Sequence, residues 1–394
     1  MMPTYYEFFC PVKILCGKQA VDNIPYELEQ LQARRPLIVT DPGVVQAGLL
    51  DVVIQAFSGA EAVIGGVFQD TPQDSSNLIV GQVARFYREN RCDALIAVGG
   101  GSVIDTCKGV NILVSENADD LMDFMGAYIL KRPLKPFVVV PTTAGTGSEV
   151  TSAAVIANPD RNVKMSFVSP FLFPNLAVLD PRMTMTMPPR ITAATGMDAL
   201  THAVEAYTCL QKNPVSDAYA AAAITLVRDH LITAVTQPRI ETARLAMANS
   251  ALLAGIAFTN ALVGVVHGLA HAVGGVAHVP HGVANSIFLP FGMEYNLGRA
   301  ADLYAELLLP LAGPEVFAQT APADRARKAV SVVKDLKQKL YDLCGLPRTL
   351  KEAGLPKDKL EEIARTALGD GSLIMNPEAV DYDDALRLLQ AAYE

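Results

Sequence analysis

The first half of the chain alternates short apolar runs with segments of helical spacing. PLIVTD (36–41), ALIAVGGG (94–101), PFVVVPTT (136–143) and NLAVLDP (175–181) read as buried strands. Between them, Ser75 to Asn90 and SVIDTCKGVNILVS carry apolar residues at helical intervals. Strands of this kind separated by helices predict parallel pairing in a doubly wound α/β layer. The texture changes at Pro188-Pro189, after which strand signals stop. A long helical pattern follows the Pro-Pro break, with Thr192 placed to cap it, and 215–235, 241–263, 301–312, 322–344, 356–368 and 378–393 all read as helices. The expected organisation is an α/β domain over residues 1–187 and an all-helical domain over 188–394.

Composition narrows the class. With 51% hydrophobic and 19% charged residues, disorder is excluded and two sizeable cores can be built. A formal charge of −9 argues against nucleic acid, whose phosphates call for basic patches. The six cysteines are scattered without a C-x-x-C pair, so neither a cysteine zinc site nor a disulfide framework is expected. The start, MMPTYYEFFCPVKIL, lacks the basic and apolar regions of a secretory signal, and the longest apolar run, Ala251 to Val266, reads as a buried core helix rather than a membrane span. A cytoplasmic location is the resulting expectation.

Two glycine-rich loops follow neighbouring strands. VGGGSVID places Gly99, Gly100 and Gly101 before a helix, where backbone can approach a ligand and helix N-terminal amides favour an anion such as pyrophosphate. PTTAGTGSEVTS adds Thr142, Thr143, Thr146 and Ser148, hydroxyls suited to phosphate and ribose oxygens. Each loop alone can be a tight turn or a helix cap. Together, at strand carboxyl ends, they point to a dinucleotide. Asp41 ends the first strand, where an acid can accept ribose hydroxyls and repel a 2′-phosphate, or simply start a turn before Pro42.

All six histidines lie between His202 and His281. Asp198 and His202 stand at i and i+4 on one helix face, and His267 and His271 repeat that spacing on another. His281 follows in VPHG, read as a loop reaching back to a metal. One carboxylate with imidazoles suits Fe²⁺ or Zn²⁺, which the ligand set alone does not separate. His271 can contact cofactor or relay a proton, His278 reads as a supporting or surface residue, and His230 as a plain helix residue. Between Arg244 and Arg299 there is no Lys or Arg, and no acid before Glu294. Without a basic group to receive carboxylate or phosphate, the substrate is expected to be small and neutral.

These stretches together resemble the iron-containing (group III) alcohol dehydrogenases. The matching pieces are GGGSVID, PTTAGTGSEVT, DPRMTMTMPPRITAATGMDALTHAVEAY and HGLAHAVGGVAHVPHGVANSIFLP, in order, within a likeness that runs from YYEFFCPVKILCG to the closing DYDDALRLLQAAYE. The resemblance implies a Rossmann-like, NAD-binding α/β domain and a helical metal-binding domain, an architecture shared with dehydroquinate synthase, with the site in the cleft between. It implies metal ligation by Asp198, His202, His267 and His281, His271 as the catalytic neighbour of the nicotinamide, and Phe258 facing the substrate. Gly99, Gly100, Gly101, Ser102, Asp105, Thr142, Thr143, Thr146, Ser148, Lys164, Leu179 and His271 are the cofactor contacts it implies, and the acid at Asp41 fits NAD. Two positions depart from some members: Thr71-Pro72 replaces Asn-Pro, and Ser152-Ala153 stands where others carry Asn. The expected reaction is metal-dependent hydride transfer between NAD and a small neutral primary alcohol or diol, in a homodimer or larger assembly. The alternative is a lyase or cyclase of the dehydroquinate synthase type, whose anionic substrate would require several Lys and Arg. A non-catalytic NAD- or metal-binding module fits a complete ligand set with two cofactor loops less well.

Overall fold

The structure, a computed structural model, describes residues 3–159, 161 and 163–394. Met1 and Met2 of the opening segment lie outside the described residues. Backbone packing separates two units. One runs from Cys10 to Met187, and the other comprises Pro188–Glu394 with the segment ending at Phe9. The expected first domain began at residue 1. That opening segment instead joins the helical unit, where the Phe9 amide donates to Asn260 Oδ1 at 2.8 Å and the Phe8 ring stacks on Tyr219.

The Cys10–Met187 unit contains strands β1 (Lys13–Cys16), β2 (Pro36–Thr40), β3 (Gly66–Phe68), β4 (Ala94–Gly99), β5 (Gly126–Ala127), β6 (Phe137–Pro141), β7 (Ala153–Asn158), β8 (Val163–Val168) and β9 (Leu176–Leu179). Its helices are α1 (Ile24–Gln30), α2 (Pro42–Gln46), α3 (Leu49–Ala56), α4 (Asn77–Glu89) and α5 (Gly101–Glu116). Six strands form one sheet in the order β1-β9-β6-β4-β2-β3, and every neighbouring pair is parallel. The apolar runs are explained by burial on both faces. Leu37, Val39, Leu95, Ala97, Phe137 and Val139 face a core built with α4 and α5. Ile38, Ile96, Val98, Val138 and Val140 face a second core built with α1 and α3. The four expected strands are β2, β4, β6 and β9. The edge strands β1 and β3 went unread, and so did the antiparallel β7–β8 pair, which with β5 makes a separate three-stranded sheet.

The second unit is helical: α6 (Pro189–Thr208), α7 (Pro214–Thr236), α8 (Glu241–Ala261), α9 (Val265–Ala277), α10 (His281–Ala312), α11 (Pro314–Gln319), α12 (Arg325–Cys344), α13 (Leu360–Ala367) and α14 (Tyr382–Tyr393). Helices α6, α7 and α8 pack on one another, and α10 packs on α6, α9 and α12. Gly196 makes the first contact possible, because a Cβ there would lie 2.3 Å from Leu231 Cδ1. Two expectations are corrected. Thr192 caps nothing: α6 starts at Pro189, and the Thr192 hydroxyl donates back to the Pro188 carbonyl at 3.0 Å from inside the helix. The helix expected at 301–312 starts twenty residues earlier, at His281, and carries Pro290 and Pro310 within it. Its backbone leaves helical geometry at Ala300, so two helical stretches join across a kink.

In the α/β unit, a buried cation fixes the loop after β6. Lys108 of α5 is 1% exposed. Its Nζ donates toward the carbonyls of Ser148 (2.9 Å), Thr151 (3.0 Å) and Ala153 (2.7 Å) and the Thr151 hydroxyl (2.8 Å). Burial pulls its pKa down to about 8, with the charges of Asp105 and Glu149 opposing. Lys108→Met keeps the bulk but leaves those carbonyls without a donor. The variant should lose roughly 3 kcal/mol or more of stability, read as a lower urea midpoint for the unit that contains it.

Candidate metal centre and glycine loops

Helix α6 carries Asp198 and His202 one turn apart, α9 carries His267, and α10 carries His281 as its first residue. One ligand atom from each of the four lies within 4.8 Å of all the others. Bonds of roughly 2.0–2.2 Å place opposite ligands of one cation about 4 Å apart, so small side-chain adjustments let all four reach it. Asp198 is 1% exposed, His267 2% and His202 5%. His281 Nε2 approaches Asp198 Oδ1 at 3.5 Å, and His202 Nδ1 approaches it at 3.9 Å. The buried His202 Nδ1 has no hydrogen-bond partner. Three imidazoles converging on a single carboxylate, one with an orphaned nitrogen, form a donor set that fits a divalent iron or zinc ion.

The protonation states suit ligation. Burial lowers the pKa of His202, against the opposing charges of Asp198 and Glu205. Burial and the neighbouring imidazoles hold His267 well below the ordinary histidine value. Burial works against the Asp198 carboxylate, but His202, His281, His267 and the Asn285 amide outweigh it and keep its pKa low. At neutral pH Asp198 is therefore an anion, and His202 and His267 are neutral imidazoles.

His281 departs from expectation. It does not reach back from a loop but opens α10, behind Pro280 at the N-cap. Gly282 lets that helix start against α6: a Cβ there would meet the Ala194 carbonyl oxygen at 2.6 Å and Asp198 Cβ at 3.4 Å. Backbone cannot move aside as a side chain can. Phe258, on α8, stacks on the His202 ring with centroids 4.3 Å apart. His271, one turn after His267, stacks on His281 at 5.2 Å. His278 ends α9 in a left-handed conformation, and His230 is an ordinary residue of α7.

Three residues near the cluster had escaped the sequence reading. Glu205, on α6, accepts from His267 Nδ1 at 2.6 Å, and burial pushes its carboxyl up to about 7. Asn285 Nδ2 donates to Asp198 Oδ1 at 2.6 Å and lies 3.2 Å from His267 Nε2 and 3.1 Å from His281 Nε2. Asp370 accepts from His271 Nδ1 at 2.8 Å. Burial opposes ionisation of Asp370, but the bonds from His271 and Ser372 bring its pKa to about 2. Spacing hinted at two of them, Glu205 at i+7 from Asp198 and Asn285 at i+4 from His281. Nothing local signals Asp370, 99 positions from its partner.

In the α/β unit the two glycine loops lie side by side. The Thr142 amide donates to the Gly99 carbonyl at 3.1 Å. A Cβ at Gly100 would come within 3.2 Å of Thr143, and one at Gly101 within 3.1 Å of Thr146. Gly100 stands at the N-cap of α5 with no side chain to occupy the helix's first amides. Thr146 Oγ1 accepts from the Ser148 amide, and the Ser148 hydroxyl donates to Asp105 Oδ1 at 3.0 Å. Ser102 donates to the Gln73 carbonyl. Asp41 and Leu179 stand at the carboxyl ends of β2 and β9 in the same parallel sheet. The Asp41 carboxylate caps α2, accepting from the Val44 amide at 3.0 Å, which is the turn reading of this residue. Lys164 is exposed on β8 of the smaller sheet, opposite Ala157.

Comparison with known proteins agrees over the whole length. The family described as "Iron-containing alcohol dehydrogenase" matches residues 11–181, and its C-terminal family, "Fe-containing alcohol dehydrogenase family, C-terminal", matches residues 192–393. The chain is 34% identical to an NAD-dependent methanol dehydrogenase from Bacillus methanolicus, over 98% of this chain and 99% of that protein. It is 34% identical to a 1,3-propanediol dehydrogenase from Klebsiella pneumoniae over the same shares. The crystal structure of a 1,3-propanediol oxidoreductase superposes with a TM-score of 0.93 at 33% identity, covering 99% of this chain and 100% of that one. The chain belongs to the iron-containing alcohol dehydrogenase family.

Proposed function

We propose that this enzyme transfers hydride reversibly between NAD and a small, uncharged primary alcohol or diol, with a divalent iron held by Asp198, His202, His267 and His281. The observation that carries this reading is the quartet, buried except for the half-buried His281, with its orphaned His202 nitrogen. A divalent cation there supplies a Lewis acid for the alcohol or carbonyl oxygen, and NAD supplies the hydride acceptor. The relatives named for methanol and 1,3-propanediol support a small neutral substrate. So does the sign of the groups bonded to the histidines here: Glu205 and Asp370 are both acids. An anionic substrate of the dehydroquinate synthase type requires the opposite sign.

Each side chain then has a task. The three imidazoles and the Asp198 carboxylate bind the cation. Phe258, stacked on His202, gives the carbon skeleton of the substrate an apolar wall. His271 is 39% exposed at its side chain and backed by Asp370, a geometry suited to passing the hydroxyl proton to solvent. Gly99, Gly100, Gly101 and Ser102 offer the amide-rich start of α5 to the pyrophosphate, with Thr142, Thr143, Thr146 and Ser148 adding hydroxyls and Asp105 holding Ser148. Asp41 selects NAD through the ribose, and Leu179 and Lys164 complete the cofactor contacts. A cytoplasmic location is part of the proposal, supported by six free thiols. So is a homodimer or larger assembly, supported by the exposed aromatic rings of Tyr5 and Tyr6.

Two outcomes test the reading. His267→Ala should bind NAD as the wild type does, by fluorescence titration, yet lose about a thousandfold or more in kcat/KM for short primary alcohols, because the Lewis acid contributes several kcal/mol to the barrier; wild-type turnover would sink the metal assignment. Asp41→Ala should raise kcat/KM with NADP relative to NAD by about tenfold or more, since the acid that repels a 2′-phosphate is gone. An unchanged ratio in steady-state assays with both cofactors would leave Asp41 only its capping role.

A further inference from the structure

Glu205 continues the ligand stripe of α6. It lies seven residues after Asp198 and three after His202, so the three side chains share one helix face. Its buried carboxylate does two things at once. Oε1 accepts from the Val266 amide at 2.7 Å, and Oε2 accepts from the His267 amide at 3.3 Å, so it caps the first turn of α9 from another helix. Gly264, at the N-cap of α9, has no side chain to do this, and a Cβ there would press on Glu205 Oε1 at 3.1 Å and Asn376 Oδ1 at 2.7 Å. Oε2 also accepts from His267 Nδ1 at 2.6 Å. The Asn285 amide nitrogen, which can only donate, lies 3.2 Å from His267 Nε2, so Nε2 keeps its lone pair toward the quartet and the proton of this imidazole sits on Nδ1, facing Glu205.

We propose that Glu205 is the positioning residue of the metal centre: it fixes the tautomer and ring orientation of His267 and raises its basicity, while locking α9 to the helix that bears Asp198 and His202. The assignment rests on the quartet being the metal site. A carboxylate behind a ligand histidine changes metal affinity by roughly 10- to 100-fold. Asn376 provides an internal comparison, because its Oδ1 caps α9 through the Val265 amide at 3.1 Å without touching a ligand side chain.

The test is metal binding by the full chain after stripping with chelator, read by competition with a chromophoric chelator for Zn²⁺ and by the visible absorption bands of Co²⁺. Glu205→Gln keeps the shape but removes the charge. It should weaken Zn²⁺ and Co²⁺ binding roughly 10- to 100-fold and shift the Co²⁺ bands. Asn376→Ala should lower the thermal midpoint of the stripped protein and leave metal affinity near that of wild type. Glu205→Gln affinity within twofold of wild type overturns the proposal, and so does an equal loss of affinity in Asn376→Ala, which would make helix capping the whole effect. If the wild type itself takes up neither ion, the metal reading falls instead, and Glu205 keeps only its cap.

Discussion

A carboxylate and imidazoles brought within 4.8 Å of one another in a largely buried pocket set the terms for the helical unit. An isolated carboxylate in such surroundings is costly, and an imidazole nitrogen without a partner adds to that cost. Asn285 offsets part of it by donating to Asp198, and Glu205 offsets part by accepting from His267. What they leave, a net negative charge and nitrogen lone pairs aimed at one point, is what a shared divalent cation neutralises. The chain's folding and its chemistry thus meet at the same few atoms.

Bringing ligands from three helices so close demands that the helices themselves nearly touch. The small residues supply that approach. Gly282 admits the start of α10 against the backbone of α6, Gly292 admits Val266 of α9, and Gly196 admits Leu231 of α7. Each is a position where a single methyl group would meet neighbouring atoms below 2.7 Å. The only flexible neighbours are side chains that are themselves buried, as Val266 and Leu231 are, so little can give. The cost of glycine inside a helix is accepted where packing leaves no room for a side chain between helices.

Much of this was legible in the amino-acid order, and the failures have physical causes. Strands β2, β4, β6 and β9 were readable because burial on both faces leaves them almost wholly apolar. The β7–β8 pair was not, because one of its faces is exposed and its residues alternate within a polar stretch. The ligand set stood out because every histidine is confined to one region. The start of α10 did not, because Pro280, Gly282 and Pro290 all look like helix breakers, yet Pro280 precedes the first helical residue and needs no helical amide bond. A lone glutamate on a helix reads as solvated, so Glu205 was passed over although its spacing placed it on the ligand face. Asp370 meets His271 only through tertiary folding.

The corrected position of His281 changes the electrostatics of the centre. Two of the three histidines of the quartet occupy the first turn of a helix, His267 as the third residue of α9 and His281 as the first of α10. The amides at these ends carry partial positive charge, which at the start of α9 adds to burial in disfavouring a His267 imidazolium. The same field would disfavour a divalent cation, so anions are needed at both helix ends. Glu205 sits at the start of α9, bonded to its amides, and Asp198 lies against the first turn of α10 beside Gly282. Both acids come from α6, seven residues apart on one face. A single helix therefore compensates two others, and substituting either acid should be felt at the histidine of the helix it faces.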